Sequence, residues 1–350
     1  MNTKKIIPIC SIIPPNMLEE IAKHGEPDQK DWAMHNLSVL GFLRGRRHTL
    51  GFFPAAASVG HKYRTVNDNK NKGGDPPTGV LVRKEGGPKS KDRAVNEAYD
   101  GAGATYDLYK DIYERNSIDD KGMAIVSFVH YDKDFDNAFW DGSEMVYGDG
   151  DGRIFQRFTG CIDVIGHELT HGVTQHEANL AYNNQPGALN ESMSDVFGSL
   201  VKQRALNQSS EKADWLIGAG LFTPKINGQA LRSMKAPGTA YDDKLIGKDP
   251  QPANMKNYVH TTQDNGGVHI NSGIPNHAFY LAAMEIGGNA WEKAGKIWYT
   301  ALKDRLRSNS GFKMAASSTI SVAKELYGNG SKEHKAVQNA WKAVGVISKP

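Results

Sequence analysis

Cysteine is scarce in this sequence, with only Cys10 and Cys161 among 350 residues. Two thiols so far apart cannot form the disulfide framework that stabilises many small secreted domains. Long apolar runs are missing as well, and none approaches the roughly 20 residues that a membrane-spanning helix needs. The stability of the fold must therefore come from packing and from any bound metal, and we expect no membrane partner.

An excess of charge of one sign is also lacking. The 42 Lys and Arg residues and 39 Asp and Glu residues give a formal net charge of +3. A chain without a broad basic field is poorly suited to nucleic acid, so we expect no nucleic-acid partner. The length of 350 residues exceeds one typical core and predicts two domains or a domain with an extension.

The N-terminus carries no clear export signal. Lys4 and Lys5 precede a few apolar residues, but this apolar part is short and Pro8, Pro14 and Pro15 interrupt it. We therefore predict no signal peptide, and the route of any export stays open.

An H-E-x-x-H sequence occupies residues 167–171 within an apolar, helix-compatible run. Positions i and i+4 share one helix face, so His167 and His171 can direct ring nitrogens at one metal ion. Imidazole suits zinc, and a catalytic zinc site has three protein ligands and one open position. Glu168 lies about 100° round the helix, where it can reach water without ligating the metal. The stretch predicts a zinc site with Glu168 as general base.

A second acidic motif follows the histidine pair. A loop at residues 183–187 ends one helix and lets another pack against it, and Glu191 then follows. Glu191 would be the third metal ligand. Asp195 lies one turn further on the same face, where it can accept a hydrogen bond from the far nitrogen of a ligand histidine, as zinc sites usually require.

The histidine pair and the Asn-Glu-x-x-x-Asp motif at this spacing resemble the thermolysin family of zinc endopeptidases. Two further blocks carry the resemblance, D-N-G-G-V-H-I-N-S-G at residues 264–273 and N-A-F-W at residues 137–140. The metzincin alternative requires a third histidine six residues after His171, where Glu177 stands.

This resemblance implies an α+β fold, a thermolysin-like two-domain zincin with a strand-bearing N-terminal half, a helical C-terminal half and the active-site cleft between them. Strand patterns at 79–82 and 124–131 and a helix pattern at 94–113 fit the first half. Helix patterns fit the second half at 188–206, 273–286, 290–305 and 332–344. We predict an N-terminal catalytic domain at 51–178 and a C-terminal catalytic domain at 179–350.

The first 50 residues are expected to form a separate unit. Residues 14–43 predict two short helices, and a basic run followed by small residues without periodicity predicts a linker at 44–57. The Pro14-Pro15 pair resembles the short propeptide of the protealysin-like branch of the family. The resemblance implies that residues 1–50 are a propeptide with linker, an intramolecular inhibitor that the enzyme removes near residues 50–53. A permanent N-terminal domain is the alternative.

Cys10 raises one further possibility. A propeptide thiolate occupies the open zinc position in some unrelated zymogens. The family resemblance includes no such ligand, so we expect Cys10 to be an incidental thiol.

The resemblance also implies the remaining site residues. Tyr182 and His269 would donate hydrogen bonds to the oxyanion, and Asp264 would orient His269. Asn190 would join Asp195 as a hydrogen-bond partner behind the metal ligands.

For the substrate, the resemblance implies that Asn137 and the backbone of Ala138 pair with a peptide as an added strand, while Arg232 binds a peptide carbonyl bidentately. An apolar pocket would accept a bulky apolar residue after the cut bond. The pocket residues are Val164, Ile217 and Leu231. Apolar selection is graded, so a broad endopeptidase is expected.

The sequence departs from the family at its calcium positions. Lys202 and Ala219 replace two acidic residues of a calcium cluster in which Asp163 and Asp214 remain, and Gln229 replaces another calcium-binding aspartate. We expect Lys202 to pair with Asp163 or Asp214, zinc to be bound, and calcium to be absent or reduced.

Together these inferences predict a secreted, monomeric zinc metalloendopeptidase that acts on proteins or peptides and is made as a self-processing zymogen. The alternative from another class is a catalytically inactive zincin-fold module for binding or regulation. Its quickest sign would be the loss of Glu168, which is present.

Overall fold

The computed structural model describes residues 10–50 and 59–348. In this part of the chain the helices are α1 (Pro15–His24), α2 (Pro27–Leu50), α3 (Arg93–Tyr113), α4 (Ile162–His176), α5 (Asn184–Ala205), α6 (Asp264–Asn271), α7 (Gly273–Ile286), α8 (Lys293–Asp304), α9 (Phe312–Tyr327) and α10 (Lys332–Ala343). The strands are β1 (Cys10–Ser11), β2 (Arg64–Lys72), β3 (Val80–Lys84), β4 (Ile125–Tyr131), β5 (Ala138–Trp140), β6 (Met145–Tyr147), β7 (Leu216–Ile217), β8 (Arg232–Ser233), β9 (Asp242–Asp243) and β10 (Gly247–Lys248).

A six-stranded mixed sheet forms the N-terminal half, in the order β1-β5-β6-β4-β2-β3. Strand β4 runs parallel to both β2 and β6, and the other neighbours are antiparallel. Strand β1 lies at the edge, where Cys10 pairs with Trp140 and Ser11 with Phe139. The N-terminal segment thus adds a strand to the sheet of the catalytic half.

The C-terminal half is built from helices, with α10 packed against α7 and α9. Helix α4 ends the sheet half and packs against α5, the first long helix of the other half. Gly198 permits this close approach, because a Cβ atom there would lie 2.4 Å from the carbonyl oxygen of Asp163. The α4/α5 pair therefore brings residues of both halves to one place.

The N-terminal unit is packed into the same core as the catalytic halves. Met17, Leu18 and Ile21 on α1 are fully buried and belong to the main hydrophobic cluster. Helix α2 packs on α1. No helix within the described ranges is long and apolar enough to cross a membrane.

The α+β prediction is confirmed, with strands in the first half and helices in the second. The predicted helix at 94–113 is α3, and the predicted strand at 124–131 is β4. The predicted linker is wrong over residues 44–50, because α2 continues to Leu50. Arginine favours helices, and one glycine costs a helix only about 1 kcal/mol, so the basic run did not end it. Residues 51–57 of that linker lie outside the described residues.

Candidate metal centre and active site

The two histidines of the H-E-x-x-H sequence meet on one face of α4. Their Nε2 atoms lie 3.0 Å apart, and both side chains are buried. His167 Nδ1 lies 2.8 Å from Asp195 Oδ1, and His171 Nδ1 lies 2.8 Å from Asn190 Oδ1. These oxygen acceptors hold each Nδ1–H, which turns the Nε2 lone pairs of the neutral rings toward a common point.

Glu191 on α5 completes this group. Its carboxylate oxygens lie 3.5 Å from each histidine Nε2 atom, and the residue is fully buried. Oxygen Oε2 has no hydrogen-bond partner among the residues that the structure describes. Two lone pairs and a buried carboxylate that converge on one point require a positive charge there.

The charges of the site agree with that requirement. Burial lowers the pKa of His171 to about 3, so this ring is neutral. Burial also disfavours a charge on His167, but the carboxylates of Asp195 and Glu191 outweigh it and raise the pKa of His167 to about 9. Without a metal, a proton on His167 would supply the positive charge. A divalent cation can displace that proton, since ligand histidines bind metal in the neutral form.

Glu168 is fully buried beside this group. Its Oε2 accepts a hydrogen bond from the backbone N–H of Trp140 at 3.0 Å, while Oε1 has no partner in the described part of the chain. Burial raises the pKa of Glu168 to about 8. A carboxylate whose pKa lies near neutrality is suited to accepting and returning a proton.

Tyr182 and His269 lie on the other side of Glu191. The Tyr182 hydroxyl donates a short hydrogen bond to Glu191 Oε1 and lies 3.3 Å from His269 Nε2. Asp264 holds the His269 ring through a contact of 2.6 Å to Nδ1. Burial opposes a charge on His269, but Asp264 and Glu191 raise its pKa, which favours an Nε2–H donor.

The N-terminal segment lies in the cleft beside these groups. The carbonyl oxygen of Ser11 is 3.0 Å from His269 Nε2, and the N–H of Ile12 donates to the Ala138 carbonyl at 3.1 Å. Ile12 is fully buried in the same hydrophobic cluster as the three residues of the expected apolar pocket. Those residues are Val164, Ile217 and Leu231.

Asn137 holds the next residue of the segment. Its Oδ1 accepts a hydrogen bond from the Ile13 N–H at 3.1 Å. Asn137 and Ala138, which the sequence assigns to peptide binding, therefore both contact main-chain atoms of an extended segment that pairs with β5.

Arg232 differs from its expected arrangement. Its Nε and Nη2 atoms donate at 2.8 Å to the two carboxylate oxygens of Asp195, and Nη1 donates to the Ile12 carbonyl at 3.1 Å. The bidentate partner is thus Asp195 and not a peptide carbonyl, because a buried carboxylate binds a guanidinium fork more strongly than a neutral oxygen does. Burial opposes ionisation of Asp195, but Arg232 and His167 lower its pKa to about 2.

Cys10 also lies at this site, although the sequence analysis expected an incidental thiol. Its Sγ, a ring nitrogen of His171 and a carboxylate oxygen of Glu191 lie within 4.8 Å of one another. The only sequence signal was its position four residues before Pro14, in the segment expected to occupy the cleft. The spacing of side chains within that segment did not show which one faces the histidines.

Lys202 on α5 forms the ion pairs that its charge predicts. Its Nζ lies 2.8 Å from Asp163 Oδ2 and 2.9 Å from Asp214 Oδ1, so it binds both carboxylates. It also donates to the carbonyl oxygen of Leu216 at 2.6 Å. The lysine thereby ties α4, α5 and β7 together.

The mixed sheet, the helical half and the His-His-Glu group between them define a metallopeptidase of the thermolysin type. Residues 58–175 match the family described as the thermolysin metallopeptidase catalytic domain, and residues 178–346 match its alpha-helical domain. The chain belongs to this family and is a metalloendopeptidase.

Among its relatives, the extracellular metalloprotease of Pectobacterium carotovorum subsp. carotovorum is 50% identical over 340 residues, with 97% of each chain covered. Protease PrtS of Photorhabdus sp. (strain Az29) is 45% identical over 343 residues, covering 96% of this chain and 91% of the relative. The solved precursor of protealysin, a metalloproteinase from Serratia proteamaculans, superimposes with a TM-score of 0.87 at 52% identity. That match covers 97% of this chain and 100% of the precursor.

Proposed function

We propose that this chain is the zymogen of a zinc endopeptidase in which Glu168 is the general base. His167, His171 and Glu191 would hold the metal, as the three ligands of a catalytic zinc with one open position. The observation that carries this assignment is the convergence of two Nε2 atoms 3.0 Å apart with a buried carboxylate that lacks a full set of partners. When bound, zinc would polarise the substrate carbonyl and lower the pKa of a water molecule.

The side chains around the metal would transfer the proton and stabilise the oxyanion. Glu168 Oε1 would accept the proton of the attacking water and pass it to the leaving amine. His269 and Tyr182 would donate hydrogen bonds to the oxygen on which negative charge develops. Asp264 would keep the Nδ1–H of His269 engaged, so that Nε2 carries the donated proton.

The substrate would bind as the N-terminal segment does, antiparallel to β5. Asn137 and Ala138 would pair with its main chain, and Arg232 would donate to one carbonyl while Asp195 fixes the guanidinium. Ile12 of that segment is fully buried, and its carbonyl accepts a hydrogen bond from Arg232, the neighbour of the expected pocket residue Leu231. This supports a preference for bulky apolar residues after the cut bond.

We extend the proposal to residues 1–50, as a propeptide with linker that inhibits the enzyme by occupying its cleft. The main-chain bonds from Ser11, Ile12 and Ile13 support this role. The catalytic domains would be 51–178 and 179–350, and self-cleavage near 50–53 would fall just beyond the last described residue of α2. Because a relative is named as an extracellular metalloprotease, we also propose that the mature, monomeric enzyme is secreted.

Replacement of Glu168 by Gln tests the function. Parental protein should cleave casein and convert to a product that begins near residues 50–53. Glu168→Gln should lose activity by roughly 10²- to 10⁴-fold, keep stoichiometric zinc and stay full length until trace active enzyme is added. His171→Ala is the metal control and should lose zinc. Casein cleavage by the Glu168→Gln protein at the parental rate would contradict the proposal.

Calcium is proposed to be absent or reduced, because the Lys202 ammonium lies between Asp163 and Asp214. Removal of calcium with a chelator too weak to strip zinc should change the melting temperature little. A calcium site at one hundred times its dissociation constant would contribute about 2.7 kcal/mol, so a drop of many degrees would contradict this expectation. Zinc content measured before and after treatment provides the control.

A further inference from the structure

The position of Cys10 in the cleft is fixed by the strand pairing of the N-terminal segment. Cys10 pairs with Trp140 of β5, and its side chain is only 3% exposed. The pairing directs the side chain inward, to a cluster that includes Tyr182. The thiol therefore lies on the metal side of the sheet edge.

The sulfur lies among the proposed metal donors. Cys10 Sγ, a ring nitrogen of His171 and a carboxylate oxygen of Glu191 fall within 4.8 Å of one another. Thiolate sulfur, imidazole nitrogen and carboxylate oxygen are the three common donors to zinc, at about 2.0 to 2.3 Å from the ion. A catalytic zinc with three protein ligands keeps a fourth position, and the Cys10 sulfur lies close enough to two of the proposed ligands to fill it.

The main chain after Cys10 is held at successive points. The Ser11 carbonyl accepts a hydrogen bond from His269 at 3.0 Å. The Ile12 N–H donates to the Ala138 carbonyl, and the Ile12 carbonyl accepts from Arg232, both at 3.1 Å. The Ile13 N–H donates to Asn137 at 3.1 Å. The sulfur is thus positioned before any metal enters, and ligation costs little further loss of chain freedom.

We propose that Cys10 is the fourth zinc ligand of the full-length chain. This inference rests on the proposed function, because it needs the zinc centre of His167, His171 and Glu191. On ligation the Cys10 thiol loses its proton to solvent, and its sulfur takes the position that a catalytic zinc keeps open for water or substrate. Glu168 then has no activated water from which to accept a proton.

This ligation explains how a substrate-like segment resists cutting. The Ser11 carbonyl faces His269, the proposed oxyanion donor, and the fully buried Ile12 is bound through its carbonyl to Arg232, the neighbour of the expected pocket residue Leu231. The peptide bond between them is therefore placed as a substrate's would be. Removal of the N-terminal segment would remove the Cys10 sulfur together with β1. The fourth zinc ligand and the segment that fills the cleft would therefore be lost in the same step.

The test is X-ray absorption at the zinc edge on full-length Glu168→Gln protein, which should not process itself. Loaded with one zinc per chain, this protein should show one sulfur at about 2.3 Å besides nitrogen and oxygen neighbours. The same protein with Cys10→Ser should show nitrogen and oxygen only. Its Cys161→Ser counterpart is the matched control and should keep the sulfur, because Cys161, the only other cysteine, contacts the Ala219 carbonyl instead.

The cobalt-loaded proteins provide a second measurement that does not depend on activity. Full-length Glu168→Gln protein should show a sulfur-to-cobalt charge-transfer band that Cys10→Ser abolishes and Cys161→Ser leaves unchanged. Stoichiometric zinc without a sulfur neighbour in the Cys10-containing protein would overturn the ligation and leave the zinc centre intact. Failure of the full-length protein to bind zinc at all would instead overturn the proposed function.

Discussion

At the scale of single residues, Asp136 is a carboxyl group whose charge the fold strongly disfavours. It is fully buried, and no side chain that the structure describes donates a hydrogen bond to its carboxylate oxygens. Burial raises the pKa of Asp136 well above its ordinary range, and the nearby Asp151 carboxylate acts in the same direction. Native Asp136 therefore holds a proton that the unfolded chain releases above about pH 4.

This difference predicts how stability depends on pH. The native state binds more protons than the unfolded state between the two pKa values, so the Asp136 contribution destabilises the fold as pH rises above about 4. Asp136→Asn removes this loss of stability, because asparagine does not ionise. In the Glu168→Gln background, its unfolding free energy should exceed that of the parent increasingly from pH 5 toward neutrality. Urea titrations at several pH values provide the measurement.

Asp134→Asn is the matched control, because Asp134 is exposed two residues away. It should change the pH dependence far less than Asp136→Asn does, because burial is the largest cause of the raised Asp136 pKa. A constant difference between Asp136→Asn and the parent at all pH values would contradict the titration of Asp136.

Residues of the metal centre could be predicted where their relation is local. His167 and His171 share a helix turn, so their spacing shows that they meet. The environments of Asp136 and Cys10 depend on segments that are distant in the sequence. Helix α2 contacts Asp136 through Asn36, and strand β5 positions Cys10 by pairing with β1. A single sequence carries no local signal for either arrangement.

At the scale of elements, the packing of α4 against α5 sets the geometry of the proposed metal ligands. A Cβ at Gly198 would meet the Asp163 carbonyl oxygen at 2.4 Å and the backbone nitrogen of His167 at 3.0 Å. Both contacts are with main-chain atoms of α4, which cannot rotate away. Any larger residue must therefore move one helix relative to the other.

Gly198→Ala should consequently separate His167 and His171 from Glu191. A displacement near 1 Å can cost on the order of 10²-fold in rate, and zinc affinity should fall as well. Competition with a chromophoric chelator measures the affinity, and casein cleavage measures the rate. Gly160→Ala is the control, because the added methyl group would meet only the Arg157 side chain, at an ordinary contact distance of 3.9 Å. Parental zinc affinity and activity in Gly198→Ala would contradict the close-packing argument.

Helices and strands whose hydrophobic residues recur with a clear period could be predicted from the sequence. Those with weak hydrophobic contrast or a turn-like composition could not. Helix α3 and strand β4 lie within one residue of their predicted ranges. Helix α9 was missed because its buried face consists largely of small residues, including Ala315, Ala316 and Thr319, which give little hydrophobic contrast. Strand β2 was missed because its sequence R-T-V-N-D-N-K-N-K has the composition of a turn.

At the scale of the whole molecule, α2 holds the N-terminal unit on the sheet half through a buried contact. Asn36 is fully buried, and its Oδ1 accepts a hydrogen bond from the Asp136 N–H at 3.1 Å. Trp32 donates to the Asp134 carbonyl oxygen, and Asp28 pairs with Arg153 at the exposed end. The buried contact should contribute more to docking than the exposed ion pair.

Asn36→Ala should therefore loosen the N-terminal unit. A buried N–H left without its acceptor costs about 1 to 3 kcal/mol, which raises the undocked population at least about fivefold. In the Glu168→Gln background, trace active enzyme should clip this variant correspondingly faster than the parent. Gel densitometry against time gives the rates. Asp28→Ala should change the rate little, and equal rates for Asn36→Ala and the parent would contradict the docking role of α2.

The pairing of β1 with β5 affects how readily the protein aggregates through this sheet edge. If the N-terminal segment is removed as proposed, the β5 main chain would lose the partner on its outer side, and bare strand edges promote aggregation between molecules. Strand β5 has only three residues, Ala138–Trp140, or about 10 Å at the rise of an extended chain. So short an edge can hold one visiting peptide but is too short to seed an intermolecular sheet. The proposed mature enzyme would thus remain dispersed at high concentration while keeping an edge open for its substrates.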